Sequence, residues 1–580
     1  MSSSSWKPCY DHWMNYDQLE HELRRLLVQL QNDEKTLEDC FYKNIEFGTG
    51  GIRGEMGPGT NRINIYTIRK VSEGLARYLI EHGEEAKQNG VVIAYDSRHN
   101  SATFAMEAAK VLGQNGIRIF LFNQLSPTPL LSFAVRYVGA FAGIVITASH
   151  NPPKDNGYKV YNHSGGQITL EAANQIMSHI QKVEDELQIP FAEVGDLIQK
   201  GLLLMLGNEI RDTYLEQIRN RRIVPQGMLP AMNQVKIVFT PFHGTSYETV
   251  LQGLKMFGYE NVSVVKEQAY PDPDFTNVVS PNPEDHRAFE LAIQYGIREN
   301  ADLVMGTDPD ADRLGVAVKN EVGEFTVLTG NQIGALLLYY LLTIKQDLGL
   351  LASSGAVVKT VVTSEMGRAI ASDFGQQTID TLTGFKYIGE KINEFERTGE
   401  YVFQFGYEES NGYLLFDLVR DKDAIQAAIV MADLCAYYKA QGKSVYDVLL
   451  HMYQKYGYYL EDLVSFHTQG ADREKKSEAI LAHFRSLPFT HIIDKKILAI
   501  EDYVTGERKD LRTGETLVLS LPKSNAIKIQ LEQDIWFCIR PSGTESKIKL
   551  YFGVKGATWN ESKKMLEQLK EAVVKEIERL

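Results

Sequence analysis

The chain has 580 residues, which is too many for one hydrophobic core, and at ~100–200 residues per domain it should fold as three to five domains. Apolar residues make up 44% of the sequence and charged residues 23%, which excludes an extensively disordered chain. The net charge of −14 argues against a general binder of nucleic acid or of anionic membranes. A local basic pocket for a small phosphorylated ligand is still compatible with this charge.

The cysteines and the N-terminal segment indicate a reducing, cytoplasmic location. Cys9, Cys40, Cys435 and Cys538 lie far apart, without the spacing of a zinc site or of a disulfide framework. The first residues lack the apolar core of a secretion signal. The longest apolar run, at 333–344, is shorter than the ~20 residues needed to cross a bilayer. We therefore expect a soluble protein.

Apolar periodicity predicts alternating strands and helices along most of the chain. In chain order the predicted elements are a helix at 16–32, a strand at 91–97, a helix at 102–112, strands at 117–122, 143–149 and 235–240, a helix at 246–256, strands at 262–265, 302–307 and 356–362, a helix from Glu365, a strand at 401–407 and a helix at 559–580. Strands that alternate with helices favour layered α/β domains with largely parallel sheets.

The pattern of elements predicts an α/β protein of four domains. Three similar α/β domains are expected at 1–205, 206–325 and 326–457, and a smaller α+β domain at 458–580. Each α/β domain contains an apolar strand that opens into a polar loop. Because ligands bind beyond the carboxyl ends of strands in open α/β sheets, we expect these loops to converge on one central cleft.

The segment GTDPDADR predicts a metal site. Asp308, Asp310 and Asp312 alternate directly after a predicted strand, so three carboxylates can gather around one hard cation. Magnesium is the natural candidate, since an EF-hand calcium loop would have Gly and Glu where this chain has Arg313 and Lys319. The alternative is a solvated acidic turn, but three adjacent carboxylates repel one another unless a cation is present.

Two loops carry arginine beside glycine and can bind an anion. RPSGTE, at 540–545, combines a guanidinium with two hydroxyls and close backbone approach, which is typical of a phosphate cradle and also of an ordinary turn. FGTGGIRG, at 47–54, can bring backbone amides and Arg53 to an anion, although glycine-rich loops are common. Neither a Walker A sequence nor GxGxxG is present, so nucleotide binding is not supported.

Two loops of the third predicted domain suit a sugar and are ambiguous taken alone. EESNG supplies Glu408 and Ser410, which would face the same side of an extended chain, and a carboxylate with a hydroxyl is a common way to hold sugar hydroxyls. A solvated loop is an equally good interpretation. TGFKY, at 383–387, is open to the same two interpretations.

Ser149, in the segment TASHNPPKDNGYK, is a candidate nucleophile. No GxSxG elbow surrounds it, and His150 directly beside it on an extended backbone should point away, which argues against an acyl-hydrolase dyad. With a metal site and phosphate-binding loops available, phosphoryl transfer through a phosphoserine is the coherent use. The alternative is a serine that only caps the turn before Pro152 and Pro153.

Taken in this order, TGGIRG, TASHNPPKDNGYK, DPDADR, GYEESNG and RPSGTE resemble the motifs of the α-D-phosphohexomutase superfamily, and specifically its longer phosphoglucomutase/phosphomannomutase members. The resemblance spans about 47–552. It implies four domains around a deep central cleft and an isomerase that moves a phosphoryl group within a sugar phosphate. The ligand is then a small sugar phosphate, without nucleic acid or membrane, and the protein is a monomer or a homodimer.

The resemblance also assigns roles to individual residues. It implies that Ser149 carries the phosphoryl group, that Arg53 and His150 surround this group, and that Lys159 handles a proton. It implies that Mg²⁺ is held by Ser149, Asp308, Asp310 and Asp312. The implied substrate-binding residues are Arg313, Gly384, Lys386 and Lys422 for the ligand, Glu408 and Ser410 for the sugar hydroxyls, and Arg540, Ser542, Gly543 and Thr544 for the phosphate that is not transferred.

The reaction that the resemblance implies is the interconversion of α-D-glucose 1-phosphate and glucose 6-phosphate, with glucose 1,6-bisphosphate as intermediate and activator. EESNG departs from the GEMSGH of mannose-tolerant members and so favours glucose. Phosphomannomutase and phosphopentomutase activity stay open, as does a non-catalytic sugar-phosphate-binding regulator on the same fold.

Overall fold

The computed structural model describes residues 6–48, 50–467, 473–486, 489–541 and 547–580. They form two compact units. The first takes in the chain up to Leu328 together with Gly389–Arg397 and Gly412–Gln441, and the second consists of Thr329–Ile388, Thr398–Asn411 and Gly442–Leu580. The four domain boundaries expected from the sequence are a different division of the chain and stay a prediction.

Three short helices precede the first sheet: α1 (Lys7–Met14), α2 (His21–Leu30) and α3 (Glu34–Phe41). The predicted helix at 16–32 is therefore too long. It begins only at His21, because Glu20 is its N-cap and accepts a hydrogen bond from the backbone N–H of Leu23 at 2.8 Å. Trp13 is fully buried and packs edge-to-face on Tyr66 of the first α/β layer.

The first α/β layer is a six-stranded mixed sheet covered by helices. Its elements are β1 (Gly51–Glu55), α4 (Ile65–Glu81), α5 (Glu84–Asn89), β2 (Val91–Tyr95), α6 (Ser101–Gln114), β3 (Ile119–Phe122), α7 (Thr128–Val138), β4 (Ala142–Ile146), β5 (Asp155–Asn162), α8 (Leu170–Gln181), a 3₁₀ turn (Glu186–Gln188), α9 (Val194–Gln199) and β6 (Leu203–Leu206). The strand order is β1-β5-β4-β2-β3-β6. Strands β4, β2, β3 and β6 run parallel, and β5 and β1 add an antiparallel edge. The central strands are apolar because both faces are covered.

The second α/β layer belongs to the same unit. Its elements are α10 (Asn208–Arg221), α11 (Leu229–Met232), β7 (Ile237–Thr240), α12 (Tyr247–Met256), β8 (Val262–Val264), α13 (Lys266–Ala269), a 3₁₀ turn (His286–Phe289), α14 (Glu290–Glu299), β9 (Leu303–Thr307), β10 (Leu314–Lys319) and β11 (Phe325–Val327). The strand order is β11-β10-β9-β7-β8, with β9, β7 and β8 parallel. The tight turn between β9 and β10 is the segment with the alternating aspartates.

The third set of elements is shared between the units. It comprises α15 (Gly330–Asp347), β12 (Gly355–Thr360), α16 (Met366–Asp373), β13 (Gln377–Thr381), α17 (Phe385–Thr398), β14 (Val402–Glu408), β15 (Gly412–Leu414), α18 (Ala424–Lys439) and α19 (Val445–Tyr456). Strands β13, β12 and β14 form a parallel sheet in the second unit. Helix α18 lies in the first unit, where it packs on α12, and it is apolar on all sides because almost every one of its residues is buried.

The C-terminal part is an antiparallel sheet with helices. Its elements are β16 (Tyr458–His467), α20 (Arg473–Ser486), β17 (His491–Ile492), β18 (Lys495–Asp502), β19 (Glu507–Asp510), β20 (Thr516–Val518), β21 (Ile527–Leu531), β22 (Trp536–Pro541), β23 (Lys547–Gly556) and α21 (Trp559–Glu578). The strand order is β16-β23-β22-β21-β18-β19-β20, and β17 pairs with β18. Three α/β layers followed by a smaller sheet-rich part confirm the predicted fold class. No helix in the described part of the chain has the length and apolar character of a membrane span.

Candidate active site

Ser149 lies in the loop that connects β4 to β5. Its backbone has φ 52°, a left-handed conformation that costs a residue with a side chain ~1–3 kcal/mol. The N–H of Ser149 donates to Oγ1 of Thr147 at 2.8 Å, and its hydroxyl donates to Oδ2 of Asp308 at 2.7 Å. The surrounding structure therefore presents this buried hydroxyl directly to a carboxylate of the β9–β10 turn.

The expectation that His150 points away from Ser149 is wrong. Because the Ser149 backbone is left-handed rather than extended, Nδ1 of His150 lies 3.2 Å from Oγ of Ser149. Burial, and then Arg313 and Arg53, lower the pKa of the imidazole well below its ordinary value, so the ring is neutral at pH 7. Among the described residues no carboxylate hydrogen-bonds to this ring, so a Ser-His-Asp triad is not formed.

The aspartates of the β9–β10 turn form a compact, buried group. One oxygen each from Asp308, Asp310 and Asp312 lies within 4.8 Å of the corresponding oxygens of the other two. Ala311 takes a left-handed φ of 58°, which lets the short turn gather all three side chains on one side. Gly244 packs its backbone on Pro309, where a Cβ atom would lie 2.4 Å from the proline Cα.

Two lysines, the half-buried Lys159 and the buried Lys422, contact this aspartate cluster, defined as Asp308, Asp310 and Asp312. Nζ of Lys159, on β5, lies 2.8 Å from Oδ2 of Asp310 and 3.7 Å from Oδ2 of Asp312. Nζ of Lys422 lies 3.2 Å from the same oxygen of Asp312. Asp308 instead accepts the backbone N–H groups of Asp312 and Arg313 and the Ser149 hydroxyl.

The cluster fits a divalent cation in two independent respects. Oδ1 of Asp310 and Oδ1 of Asp312 are buried and have no hydrogen-bond partner within the described residues, which is costly for a carboxylate unless an ion binds there. Asp421, whose Oδ1 lies 3.2 Å from Lys422, brings the carboxylates to four against two lysines. The carboxylates therefore outnumber the lysines that contact them, and the unpartnered ligands are the hard oxygens that a divalent ion prefers.

The surroundings of the cluster shift the pKa values of Asp308 and Asp310 in opposite directions. Burial, and then the neighbouring Asp310 and Asp312, raise the pKa of Asp308 well above its ordinary value. Burial would also raise the pKa of Asp310, but Lys159 overcomes it and lowers that pKa. Asp308, which accepts the Ser149 hydroxyl, is therefore the carboxylate whose charged form the neighbouring carboxylates disfavour.

The predicted arginines lie at the edge of this group. Arg53 is exposed, and its Nη1 donates to Oδ1 of Asn151, in the Ser149 loop, at 3.2 Å. Arg313 is paired with Glu284, and its Nε lies 3.8 Å from Asp312. The first unit thus holds nine predicted site residues: Arg53, Ser149, His150, Lys159, Asp308, Asp310, Asp312, Arg313 and Lys422.

The other predicted site residues belong to the second unit. Gly384 has φ 116°, a backbone conformation that favours glycine, directly before α17, and Lys386 and Glu408 are buried. Strand β14 ends at Glu408, so Ser410 lies in the following turn, and the expectation that these two residues share a face of one strand is wrong. Arg540 is on β22, paired with Lys549. Ser542, Gly543 and Thr544 lie outside the described residues.

Sequence patterns missed several residues that hold the site. Arg98, directly after β2, binds the Ser149 loop, and Thr128, at the start of α7, donates its backbone N–H to Asp310 O and its hydroxyl to Asp310 Oδ2. Asp421 accepts hydrogen bonds from Tyr161 at 2.8 Å and from Gln167 at 2.9 Å. The only local signal was the position of Arg98, which directly follows the predicted strand at 91–97.

Comparison with known families agrees with this fold and site. Models of the three α/β/α domains of the phosphoglucomutase/phosphomannomutase family match residues 44–187, 212–323 and 329–456 in that order. The chain belongs to the phosphoglucomutase/phosphomannomutase family, and it is accordingly a mutase. The resemblance inferred from the five motifs is confirmed.

Individual relatives carry a narrower name. The phosphoglucomutase of Staphylococcus aureus strain MRSA252 is 39% identical, over 90% of this chain and 92% of its own. The phosphoglucomutase of Staphylococcus epidermidis strain RP62A is 38% identical, over 93% of this chain and 96% of its own. Parafusin, a phosphoglucomutase from Paramecium, has the same fold, with a TM-score of 0.67 at 17% identity over 92% of this chain and 96% of its own.

Proposed function

We propose that this protein interconverts α-D-glucose 1-phosphate and glucose 6-phosphate through a phosphoserine at Ser149 and a glucose 1,6-bisphosphate intermediate. The observation that carries the proposal is the 2.7 Å hydrogen bond from Ser149 Oγ to Asp308 within a group of three buried carboxylates. The phosphoglucomutase names of relatives 38–39% identical over nine-tenths of the chain support glucose as the sugar.

The ion proposed for the aspartate cluster is Mg²⁺, held by Asp308, Asp310 and Asp312 together with the Ser149 oxygen or its phosphate. The unpartnered oxygens and the charge imbalance support this assignment. When bound, such an ion neutralises charge on the transferring phosphoryl group. Lys159 contacts Asp310 and Asp312, and Lys422 contacts Asp312, so both lysines are proposed to help hold these ligands in position.

The proposed reaction has two reciprocal transfers. In the first, the bond between phosphorus and Oγ of Ser149 breaks, a bond from phosphorus to the free sugar hydroxyl forms, and that hydroxyl gives up its proton, which Lys159 is proposed to accept in its uncharged amine form. The bisphosphate then turns over, and its other phosphoryl group returns to Ser149 while the sugar oxygen regains a proton. Arg53 and His150 are proposed to surround the moving group.

The remaining assignments concern substrate binding. We infer that Arg313, Gly384, Lys386 and Lys422 bind the ligand, that Glu408 and Ser410 accept sugar hydroxyls, and that Arg540 with Ser542, Gly543 and Thr544 binds the phosphate that is not transferred. The buried positions of Lys386 and Glu408 support a fixed polar site. A cytoplasmic monomer or homodimer that binds a small sugar phosphate, and neither nucleic acid nor membrane, completes the proposal.

The test is a turnover assay with α-glucose 1-phosphate, Mg²⁺ and a trace of glucose 1,6-bisphosphate, alongside mannose 1-phosphate and ribose 1-phosphate. We expect fastest conversion of glucose 1-phosphate, loss of activity with a chelator, and recovery when Mg²⁺ is returned. Ser149→Ala should abolish turnover while it leaves thermal unfolding unchanged. Preference for mannose or ribose would redirect the assignment within the family, and binding without turnover of any sugar would overturn the catalytic proposal.

A further inference from the structure

We propose that Arg98 is the positioning residue that holds Ser149 in its reactive geometry. The guanidinium of Arg98 is completely buried and binds the backbone of the loop that carries Ser149. The inference rests on the proposed function, because its consequence is a defect in phosphoryl transfer at Ser149.

All four hydrogens of the two terminal nitrogens of Arg98 are used on this one loop. Nη2 donates to the carbonyl oxygens of Ser149 at 2.6 Å and Asn151 at 2.5 Å. Nη1 donates to those of Pro152 at 2.7 Å and Asp155 at 3.0 Å. One side chain therefore fixes four carbonyl groups between Ser149 and Asp155, the first residue of β5.

The loop needs this support because its backbone from Ser149 to Lys154 belongs to neither a helix nor a sheet. A buried carbonyl group without a donor costs ~1–3 kcal/mol. The left-handed φ of Ser149 adds backbone strain that the surrounding contacts must offset. Only arginine offers several donors in one planar fork, whereas lysine has three donors on a single nitrogen. The geometry is specific to a guanidinium.

Arg98 is itself held on both sides. Its Nε lies 3.3 Å from Oδ2 of Asp96, whose other oxygen accepts the Arg98 backbone N–H at 3.0 Å and the Ser101 hydroxyl at 2.7 Å. The centre of the Phe275 ring, from the second α/β layer, lies 5.0 Å from the guanidinium carbon. The carboxylate balances the buried charge, and the ring closes the remaining side.

The functional consequence follows from distance. The Ser149 hydroxyl reaches Asp308 at 2.7 Å only while the loop keeps this shape, and a displacement of ~1 Å from a reacting group costs about 100-fold in rate. Loss of the fork should therefore lower kcat about 100-fold and change KM for glucose 1-phosphate by less than about threefold, because Arg98 contacts the loop and not the proposed sugar-binding residues.

The experiment compares Arg98→Lys with Arg222→Lys. Arg222 is a matched control, since its Nε donates to buried Asp433 at 2.7 Å and its guanidinium carbon lies 4.8 Å from the centre of the Phe257 ring, whereas these described partners include no carbonyl of the Ser149 loop. We measure kcat, KM and thermal unfolding for both variants. We expect both to unfold at lower temperature, and only Arg98→Lys to lose kcat. Equal kcat in the two variants at a temperature where both are folded would overturn the inference.

A second measurement guards against a variant that fails to fold. Arg98→Ala is assayed with methylguanidinium and, separately, with methylammonium, and phosphorylation of Ser149 by glucose 1,6-bisphosphate is followed by intact-mass spectrometry. We expect methylguanidinium alone to restore phosphoryl transfer, and equal effects of the two cations would contradict the inference. If the unsubstituted protein converts no sugar phosphate, the proposed function fails instead, which the same assay shows directly.

Discussion

Two buried groups of charged side chains, one in each unit, balance their charges in opposite ways. The aspartate cluster of the first unit has an excess of carboxylates and unpartnered oxygens. The Glu365 cluster of the second unit, defined as Lys359, Glu365, Arg368, Asp380 and Lys528, has three cations for two carboxylates. Nζ of fully buried Lys359 lies 3.2 Å from both carboxylates, and Nε of Arg368 donates to Glu365 at 2.8 Å.

The pKa directions express this difference. Burial would raise the pKa of Glu365, but Lys359, Lys528 and Arg368 overcome it and hold that pKa well below its ordinary value. For Asp308, burial and the neighbouring carboxylates act together, and the pKa is raised well above its ordinary value. We expect the Glu365 cluster, which contains its own counterions, to be sensitive to the loss of any one of its charges, whereas the aspartate cluster, which has too few counterions, is suited to receive a cation.

The largest expected effect is on catalysis, from Asp310→Asn. Loss of this carboxylate removes a proposed ligand of the ion that neutralises the transferring phosphoryl group, so kcat should fall by ~10³-fold or more, or about 4 kcal/mol. The measurement is kcat for glucose 1-phosphate during a Mg²⁺ titration. Glu365→Gln is the matched control and should keep the original kcat. Unchanged kcat and unchanged Mg²⁺ dependence in Asp310→Asn would contradict the metal assignment.

The second effect is on stability, from Glu365→Gln. Removal of one partner from a buried ion-pair group leaves the cations uncompensated, which costs about 3–5 kcal/mol. The unfolding transition of the second unit should move down by about 6–20 °C, measured by differential scanning calorimetry. A shift below ~2 °C would mean that the cluster does not stabilise this unit.

A smaller effect on stability, opposite in sign to that of Glu365→Gln, is expected from Asp308→Asn in the presence of a chelator. The amide can still accept the backbone N–H groups of Asp312 and Arg313 and can donate to Ser149, while like-charge repulsion is relieved. The free energy of unfolding should therefore change by no more than about 1 kcal/mol, and in the stabilising direction. A loss of ~3 kcal/mol, as in Glu365→Gln, would remove the distinction between the two clusters.

The smallest effect is on pH dependence. Because the pKa of Glu365 is lowered in the folded protein, its contribution to stability is fully present above the unfolded value of ~4.3 and is lost as the pH falls toward the folded value. The difference in unfolding temperature between the unsubstituted protein and Glu365→Gln should therefore be constant from pH 7 to 5.5 and narrow below pH ~4. Calorimetry at these pH values checks it, and a constant difference would show that the carboxylate charge is not responsible.

Sequence patterns predicted the architecture well because they are local. The predicted helix at 246–256 is confirmed by α12 within one residue, and the alternating aspartates do follow a buried strand. Periodicity of apolar residues reports which face of an element is buried, and that is decided within a few residues along the chain. The motifs, in their order, were sufficient to indicate the family.

Only the tertiary structure decided how the site is held. The left-handed backbone of Ser149 and its contact with His150 could not be read from TASHNPP, since neighbours on the chain were assumed to be extended. Arg98 and Asp421 act on residues far away in sequence, so no local pattern distinguishes them from other charged residues in loops. The sequence by itself determined which chemical groups are available, and the packing of distant segments determined their conformations and partners, because burial forces each polar group to find a partner wherever the fold provides one.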